Sequence, residues 1–260
     1  MTDAWQRRID RATQLSSADA ATRTLLLSYR RMLEVQRDCY ASLAAHAGRL
    51  TGSIERDLPI VVPVTAPMVR TMVSIGPPVL AEQGRGLVDR NDAALDSMLL
   101  EAWRMRADHS LFQKLALQPY AECLAAFGTP PTGRDLEPRP RTCPFCGGLP
   151  QVAILRSVGD DDGASRQLLC ATCATTWHIG RVCCAHCGEE DEKRLAYFHA
   201  AEFEHLRVDT CDTCRHYVKT VDLTRLGLAE PIVDEVAASS LDLWATEQGY
   251  EKIALNLIGL

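Results

Sequence analysis

The residues best equipped for chemistry are cysteines, and they come in pairs. Cys143 and Cys146, Cys170 and Cys173, Cys184 and Cys187, and Cys211 and Cys214 make four Cys-x-x-Cys motifs, which use eight of the eleven cysteines. In each half 23 residues separate one pair from the next, and a shift of 41 residues lays the first half on the second. Cys-Pro-Phe-Cys-Gly at 143–147 then falls on Cys-Ala-His-Cys-Gly at 184–188. Two residues between cysteines let the chain turn in a knuckle whose sulfurs converge on one ion, and two knuckles complete a tetrahedral shell. Gly147 and Gly188 follow the second cysteine of their knuckles, where a positive φ is cheap only for glycine. The eight paired cysteines are therefore the candidate ligands of two metal ions per chain.

Competing readings of the pairs fare worse. The N-terminal Met-Thr-Asp-Ala-Trp-Gln-Arg-Arg has no apolar stretch that would mark secretion, and disulfides are rare in the cytoplasm. A thioredoxin-type dithiol belongs beside a βαβ pattern, which this region lacks. A shell filled by four sulfurs has no open position for water, which argues against hydrolytic metal chemistry. Structure, partner binding or, with iron, electron transfer remain.

The other three cysteines and the histidines carry weaker signals. Cys39 and Cys123 sit among apolar neighbours on expected helices and read as small buried hydrophobes. Cys183 adjoins Cys184, but the 41-residue repeat assigns Cys184 to the quartet. His186 lies inside the third knuckle and His216 just after the fourth, both beside the metal and not on it. His178, His199 and His205 fall in strand-like segments. Asp160-Asp161-Asp162 reads as a solvated turn, and Gly84-Arg85-Gly86 fits no nucleotide fingerprint.

The elements that must hold these motifs follow from periodicity. Helices are expected over about 2–14 and 17–47, with Ser17 as an N-cap and Leu25, Leu26, Tyr29, Leu33, Gln36, Tyr40 and Leu43 at helical spacing. Arg56–Pro67 is punctuated by prolines and reads as extended. A short helix would start at Pro67 and end at Gly76-Pro77-Pro78. A helix over 91–106 puts Leu95, Met98, Leu99, Ala102 and Trp103 on one face. Another runs from a cap at Asp108 to Gly128, with Pro119 inside it. Within each cysteine unit the intervening residues suit a β-hairpin: Gln151–Arg156 and Arg166–Leu169 around a turn at 159–163, then Arg194–His199 and His205–Asp209. Pro231–Glu247 is amphipathic, and the apolar tail from Ile253 should pack back on the protein.

The fold class is thus α+β: an all-α N-terminal helical domain (1–128), a proline-rich linker (129–142), tandem four-cysteine units of zinc-ribbon type (143–182 and 183–223), and a C-terminal helix and tail (224–260). Charge divides unevenly. Residues 1–142 carry 18 Lys and Arg against 16 Asp and Glu, whereas 143–260 carry 10 against 18. Glu189-Glu190-Asp191-Glu192 beside the third knuckle would repel phosphate, so nucleic acid is not an expected partner. No apolar run approaches the length of a membrane span, and a soluble cytoplasmic protein is expected.

Cys-Pro-Phe-Cys-Gly-Gly-Leu-Pro at 143–150, Leu-Leu-Cys-Ala-Thr-Cys-Ala-Thr-Thr-Trp at 168–177, Cys-Ala-His-Cys-Gly at 184–188, Cys-Asp-Thr-Cys-Arg-His-Tyr-Val-Lys-Thr-Val-Asp at 211–222 and Leu-Asp-Leu-Trp-Ala-Thr-Glu-Gln-Gly-Tyr at 241–250 resemble the formate dehydrogenase accessory protein FdhE family. The resemblance runs from about residue 95 to the end, over an N-terminal part that looks shorter than is usual in that family. It implies a cytoplasmic assembly factor and not an enzyme, one that associates with the formate dehydrogenase catalytic subunit before export. It also implies rubredoxin-like metal sites, which favour iron over zinc, with the eight paired cysteines as ligands. A rubredoxin-like electron carrier and a generic zinc-stabilised interaction module are the other two readings. The oligomeric state is not legible.

Overall fold

The computed structural model describes residues 3–17, 20–75, 78–88, 93–105, 109–134, 141–157 and 164–260. Six helices come first: α1 (Asp3–Leu15), α2 (Ala20–Ala44), α3 (Ile54–Ile75), α4 (Pro78–Val88), α5 (Ala93–Arg104) and α6 (Leu111–Phe127). Their apolar stripes meet in one core. Leu26, Tyr29, Leu33, Tyr40 and Leu43 of α2 are buried there with the whole expected stripe of α5. Helix α6 is capped by Ser110, whose hydroxyl accepts from Gln113 N while the Gln113 side chain returns to Ser110 N. The cap expected at Asp108 lies outside the described residues. Gly128, at φ 67°, closes the helix.

Prolines are where the sequence expectation goes wrong. Arg56–Pro67 is not extended, and no helix starts at Pro67: both lie within α3, which contains Pro59, Pro63 and Pro67. Spaced four apart, the three prolines share the exposed side of the helix. The carbonyls that lose their N–H partners there face water, so the disruption that proline causes inside a helix is smallest. At the buried start of α3, Asp57 accepts from Thr51 N, Thr51 Oγ1 and Gly52 N, and from Tyr120 Oη at 2.7 Å. By length and composition α3 is also apolar enough to cross a bilayer, contrary to the sequence expectation. Val61, Val62, Ala66, Val69 and Met72 belong instead to the helical core, where α3 packs on α2, α5 and α6. Helix α4 was not expected. It closes on α3 because Gly84 leaves room: a Cβ there would lie 2.4 Å from Val73 Cγ2 and 2.8 Å from Phe112. In α6, Pro119 frees the carbonyl of Leu115, and the fully buried Gln36 of α2 donates to it at 3.2 Å.

The cysteine units build a single sheet. Its strands are β1 (Pro150–Ser157), β2 (Ala164–Cys170), β3 (Thr176–His178), β4 (Leu195–His199), β5 (Leu206–Cys211), β6 (His216–Asp222) and β7 (Glu251–Lys252). The order is β3-β2-β1-β6-β5-β4, with β7 beside β6. Both expected hairpins form, as antiparallel β1–β2 and β4–β5; the turn placed at 159–163 lies outside the described residues. The two units are then sewn together by parallel pairing of β1 with β6, from Val152 opposite Lys219 to Leu155 opposite Asp222.

The helix expected over 231–247 is two, α7 (Pro231–Ala237) and α8 (Ser239–Glu247), which break at Ala238. Together they cover one sheet face through Ala238, Leu241 and Ala245. Val233 and Val236 of α7 belong to the helical core, and Asp234 of α7 pairs with Arg11 of α1 at 2.5 Å, both buried. Beneath α7 and α8 lies a buried ionic group. Lys219 Nζ reaches Asp242 at 2.5 Å and the backbone oxygens of Glu235 and Ala238. Lys252 pairs with both Glu235 and Asp242, and Tyr217 Oη donates to Asp242 at 2.8 Å. Asn256 donates to Glu235 and accepts from Ile258 N and Leu260 N, which fastens the tail where Ile253 and Leu257 are buried. Burial opposes the charge on Glu235, but Lys219 and Lys252 overcome it and hold this carboxyl below the usual range. Lys219→Met leaves two buried carboxylates short of a partner. It is expected to destabilise the metal-loaded protein by about 3–5 kcal/mol in urea unfolding; an unchanged midpoint would show the group to be dispensable.

Candidate metal centres

The structure gathers the eight paired cysteines into two groups, Cys143, Cys146, Cys170 and Cys173, and Cys184, Cys187, Cys211 and Cys214. Within each group the sulfurs all lie within 4.8 Å of one another. Edges of 3.6 Å for Cys143–Cys173 and 3.4 Å for Cys146–Cys170 are matched by 3.7 Å for both Cys184–Cys214 and Cys187–Cys211. Four sulfurs held about 2.3 Å from one ion would stand about 3.8 Å apart, so the donor sets fit a tetrahedral four-thiolate site. A disulfide needs about 2.05 Å, and all eleven cysteines are free.

One backbone turn recurs four times. In each knuckle the residue after the second cysteine takes a left-handed φ: Gly147 71°, Ala174 54°, Gly188 81° and Arg215 57°. Its N–H then bonds the carbonyl of the first cysteine, Gly147 to Cys143, Ala174 to Cys170, Gly188 to Cys184 and Arg215 to Cys211. Ala174 and Arg215 are the only non-glycine residues with positive φ among the described residues, a conformation that costs an L-residue roughly 1–2 kcal/mol. Arg215 is engaged elsewhere, over the ring of Tyr250 and on the Gln248 carbonyl at 2.6 Å. Backbone amides also point at sulfur: Thr172 N at Cys170, and His186 N and Cys187 N at Cys184. Sequence reading missed two neighbours. A Cβ on Gly148 would come within 2.9 Å of Cys170 Sγ, so the glycine lets the chain pass against the sulfurs. Arg141 lies over the third knuckle, where Nη2 donates to the Cys187 carbonyl at 2.8 Å and the guanidinium fills the space a side chain on Gly188 would take.

The surroundings of the two centres differ. All four cysteines of the first quartet are buried and belong to the same core as the helices. In the second, Cys187 and Cys214 are partly exposed. His186 and His216 stack beside Cys214 with ring centroids 3.8 Å apart, and the three ligand atoms also lie within 4.8 Å of one another. Burial pushes the Cys170 thiol well up, whereas hydrogen bonds from Cys146, Cys170 and Cys173 draw Cys143 well down. Burial likewise raises Cys214. Cys146 is also drawn down while Cys173 is pushed up, so the set favours some thiolates at the expense of others, and a divalent cation is what lets all four ionise together.

Other residues fall outside these groups. Cys183 is buried next to Cys184, donates weakly to its carbonyl at 3.7 Å and is absent from the quartet. Burial pushes Cys39 up to about 12 and Cys123 up to about 11, as expected of inert core thiols. His178 is on β3 and His199 on β4, both exposed, and His205 contacts Asp234 at 2.8 Å.

Comparison with known proteins points to one family. Residues 142–181 match the model of the FdhE central domain and residues 182–258 that of the FdhE C-terminal domain. A protein FdhE homolog of Aquifex aeolicus is 40% identical over 117 residues, 45% of this chain and 41% of that protein. One from Pseudomonas aeruginosa is 36% identical over 133 residues, 48% of this chain and 42% of that protein. These matches thus span about two-fifths of the length of the curated relatives. The crystal structure of the FdhE protein from Pseudomonas aeruginosa superposes with a TM-score of 0.70 over 99% of this chain and 95% of that one, at 21% identity, and shares the fold.

Two outcomes test the centres. Cys184→Ser should lower metal content from two ions to one while Cys183→Ser leaves it at two; the reverse would shift the second quartet by one residue. A chelator should empty the centres in two phases, the half-exposed second quartet first, followed with a colorimetric indicator in wild type and Cys184→Ser. A single phase, or a slow phase surviving in a variant of the first quartet, would contradict the difference in burial.

Proposed function

On the premise that this chain belongs to the FdhE family, we propose that it is an accessory protein for the assembly of respiratory formate dehydrogenase. In this reading it binds the enzyme's catalytic subunit in the cytoplasm before export, and it is not itself an enzyme. The eight paired cysteines hold two metal ions, iron in preference to zinc. The observation that carries the reading is the first quartet's place in the helical core. A closed four-sulfur shell supplies rigidity, and with iron a one-electron couple, but no open position for substrate. Its metal therefore joins the helical region to the sheet, giving a two-part body whose surfaces are available for a client.

In the same reading the segments take separate roles: helices over 1–128, a proline-rich stretch over 129–142, four-cysteine units over 143–182 and 183–223, and a closing region over 224–260. We assign client contact to the ribbons and to the cleft that they form with the helices. That cleft is lined by His109 and Lys114 from the helical side and by Thr172, His186 and His216 from the two centres. The partial exposure of Cys187 and Cys214 favours a second reading, electron exchange at the second centre.

Deleting the gene should lower formate dehydrogenase activity in cells without changing synthesis of the catalytic subunit. Changing Cys143 and Cys146 together, or Cys211 and Cys214 together, to Ser should abolish both that activity and co-purification of the subunit. Full respiratory formate oxidation in the deletion strain would refute the accessory role. Reversible redox cycling with a physiological donor, in protein that never co-purifies with the subunit, would favour the electron carrier.

A further inference from the structure

Helices α7 and α8 cover one face of the sheet. Opposite α7 and α8, register places Arg166, Arg207, Asp209, Thr220 and Tyr197 on a common face. Part of that face is filled by Ala153, Leu168, Val218, Ala185 and Ile253. Beside this apolar patch, between the third knuckle and β4, lies a cavity of about 420 Å³, within the size range of binding sites for small ligands and side chains.

Arginine is concentrated there: Arg166, Arg181 and Arg207 line the groove with the carboxylates of Asp209 and Glu192, beside Cys184 and Cys211 of the second quartet. Asp209 is already shared. It accepts from Arg166 Nη2 at 2.9 Å, from Arg207 Nε at 2.7 Å and from Thr220 Oγ1 at 2.7 Å. Arg166 is 4% exposed, and its Nε has no partner. Arg166 Nη1 donates to the Gly180 and Cys183 carbonyls and Nη2 to Asp209, which holds the guanidinium in place; a groove where two arginines divide one carboxylate and exposed Arg181 stands alongside is suited to a second carboxylate. The rim is apolar and open, with Tyr197 63% and Val182 43% exposed.

We propose that this groove binds an acidic, otherwise apolar peptide segment of a partner protein, with its carboxylate seated among Arg166, Arg181 and Arg207 and its apolar side chains against Tyr197 and Val182. The assignment deepens the accessory reading, in which a client supplies the segment. It is tested with synthetic peptides, so that it stands or falls apart from the identity of the client.

The test is fluorescence anisotropy on the full metal-loaded chain. The probe is a labelled hexapeptide with one glutamate among leucines and valines, compared with its glutamine twin. The glutamate peptide should bind at least about tenfold more tightly than the twin. Arg207→Glu should weaken it by a similar factor. Arg181→Glu, at an exposed position where folding is not at risk, should do the same, and Tyr197→Ala should weaken both peptides. Equal binding of the twins, or binding indifferent to Arg181→Glu and Arg207→Glu, would overturn the proposal. So would succinate binding as tightly as the peptide, because the groove would then be a site for a free anion.

Discussion

Eight thiols held within contact distance in two groups of four are the constraint on which the rest of this protein depends. Buried sulfurs without a counter-ion cannot all ionise, and protonated they fill a core poorly suited to polar atoms. A cation at the centre of each group removes that conflict and turns four weak contacts into a rigid cross-link. The surrounding backbone repeats: four left-handed turns, two of them at residues other than glycine, each close on the carbonyl of the knuckle's first cysteine, and the four knuckles together present eight sulfurs.

Duplication gave the two centres one geometry, and their surroundings made them different. The first lies where the helical core meets the sheet, its four cysteines in the same buried cluster as Leu115 and Tyr120. The second lies at the surface, flanked by Arg141, by two stacked histidines and by an arginine-lined groove. Parallel pairing of β1 with β6 joins the two units in one continuous sheet. The ionic group of Lys219, Glu235, Asp242 and Lys252 fixes the covering helices to that sheet and draws in the C-terminal tail.

What the sequence made legible was local. Cys-x-x-Cys spacing, glycine after the second cysteine and apolar periodicity in α5 each act within a few residues, and each was readable. Features that depend on distant partners were not. The prolines of α3 read as breaks because nothing in their immediate sequence says that all three would face water. The carbonyl freed by Pro119 is bonded by Gln36, which lies 79 residues from Leu115. Strand β6 and its parallel pairing with β1 were hidden for the same reason, as were the four charges that meet under α7 and α8. Ala174 and Arg215 escaped notice because left-handed turns are usually signalled by glycine.

The most direct measurement of the central claim is X-ray absorption at the metal K-edge of protein purified without oxygen and carrying its native metal. A shell of four sulfurs per metal at about 2.3 Å, with no nitrogen or oxygen donor, is the predicted result. A shell with imidazole nitrogen or water in place of sulfur would contradict it, and would make the stacked His186 and His216 ligands in place of neighbours.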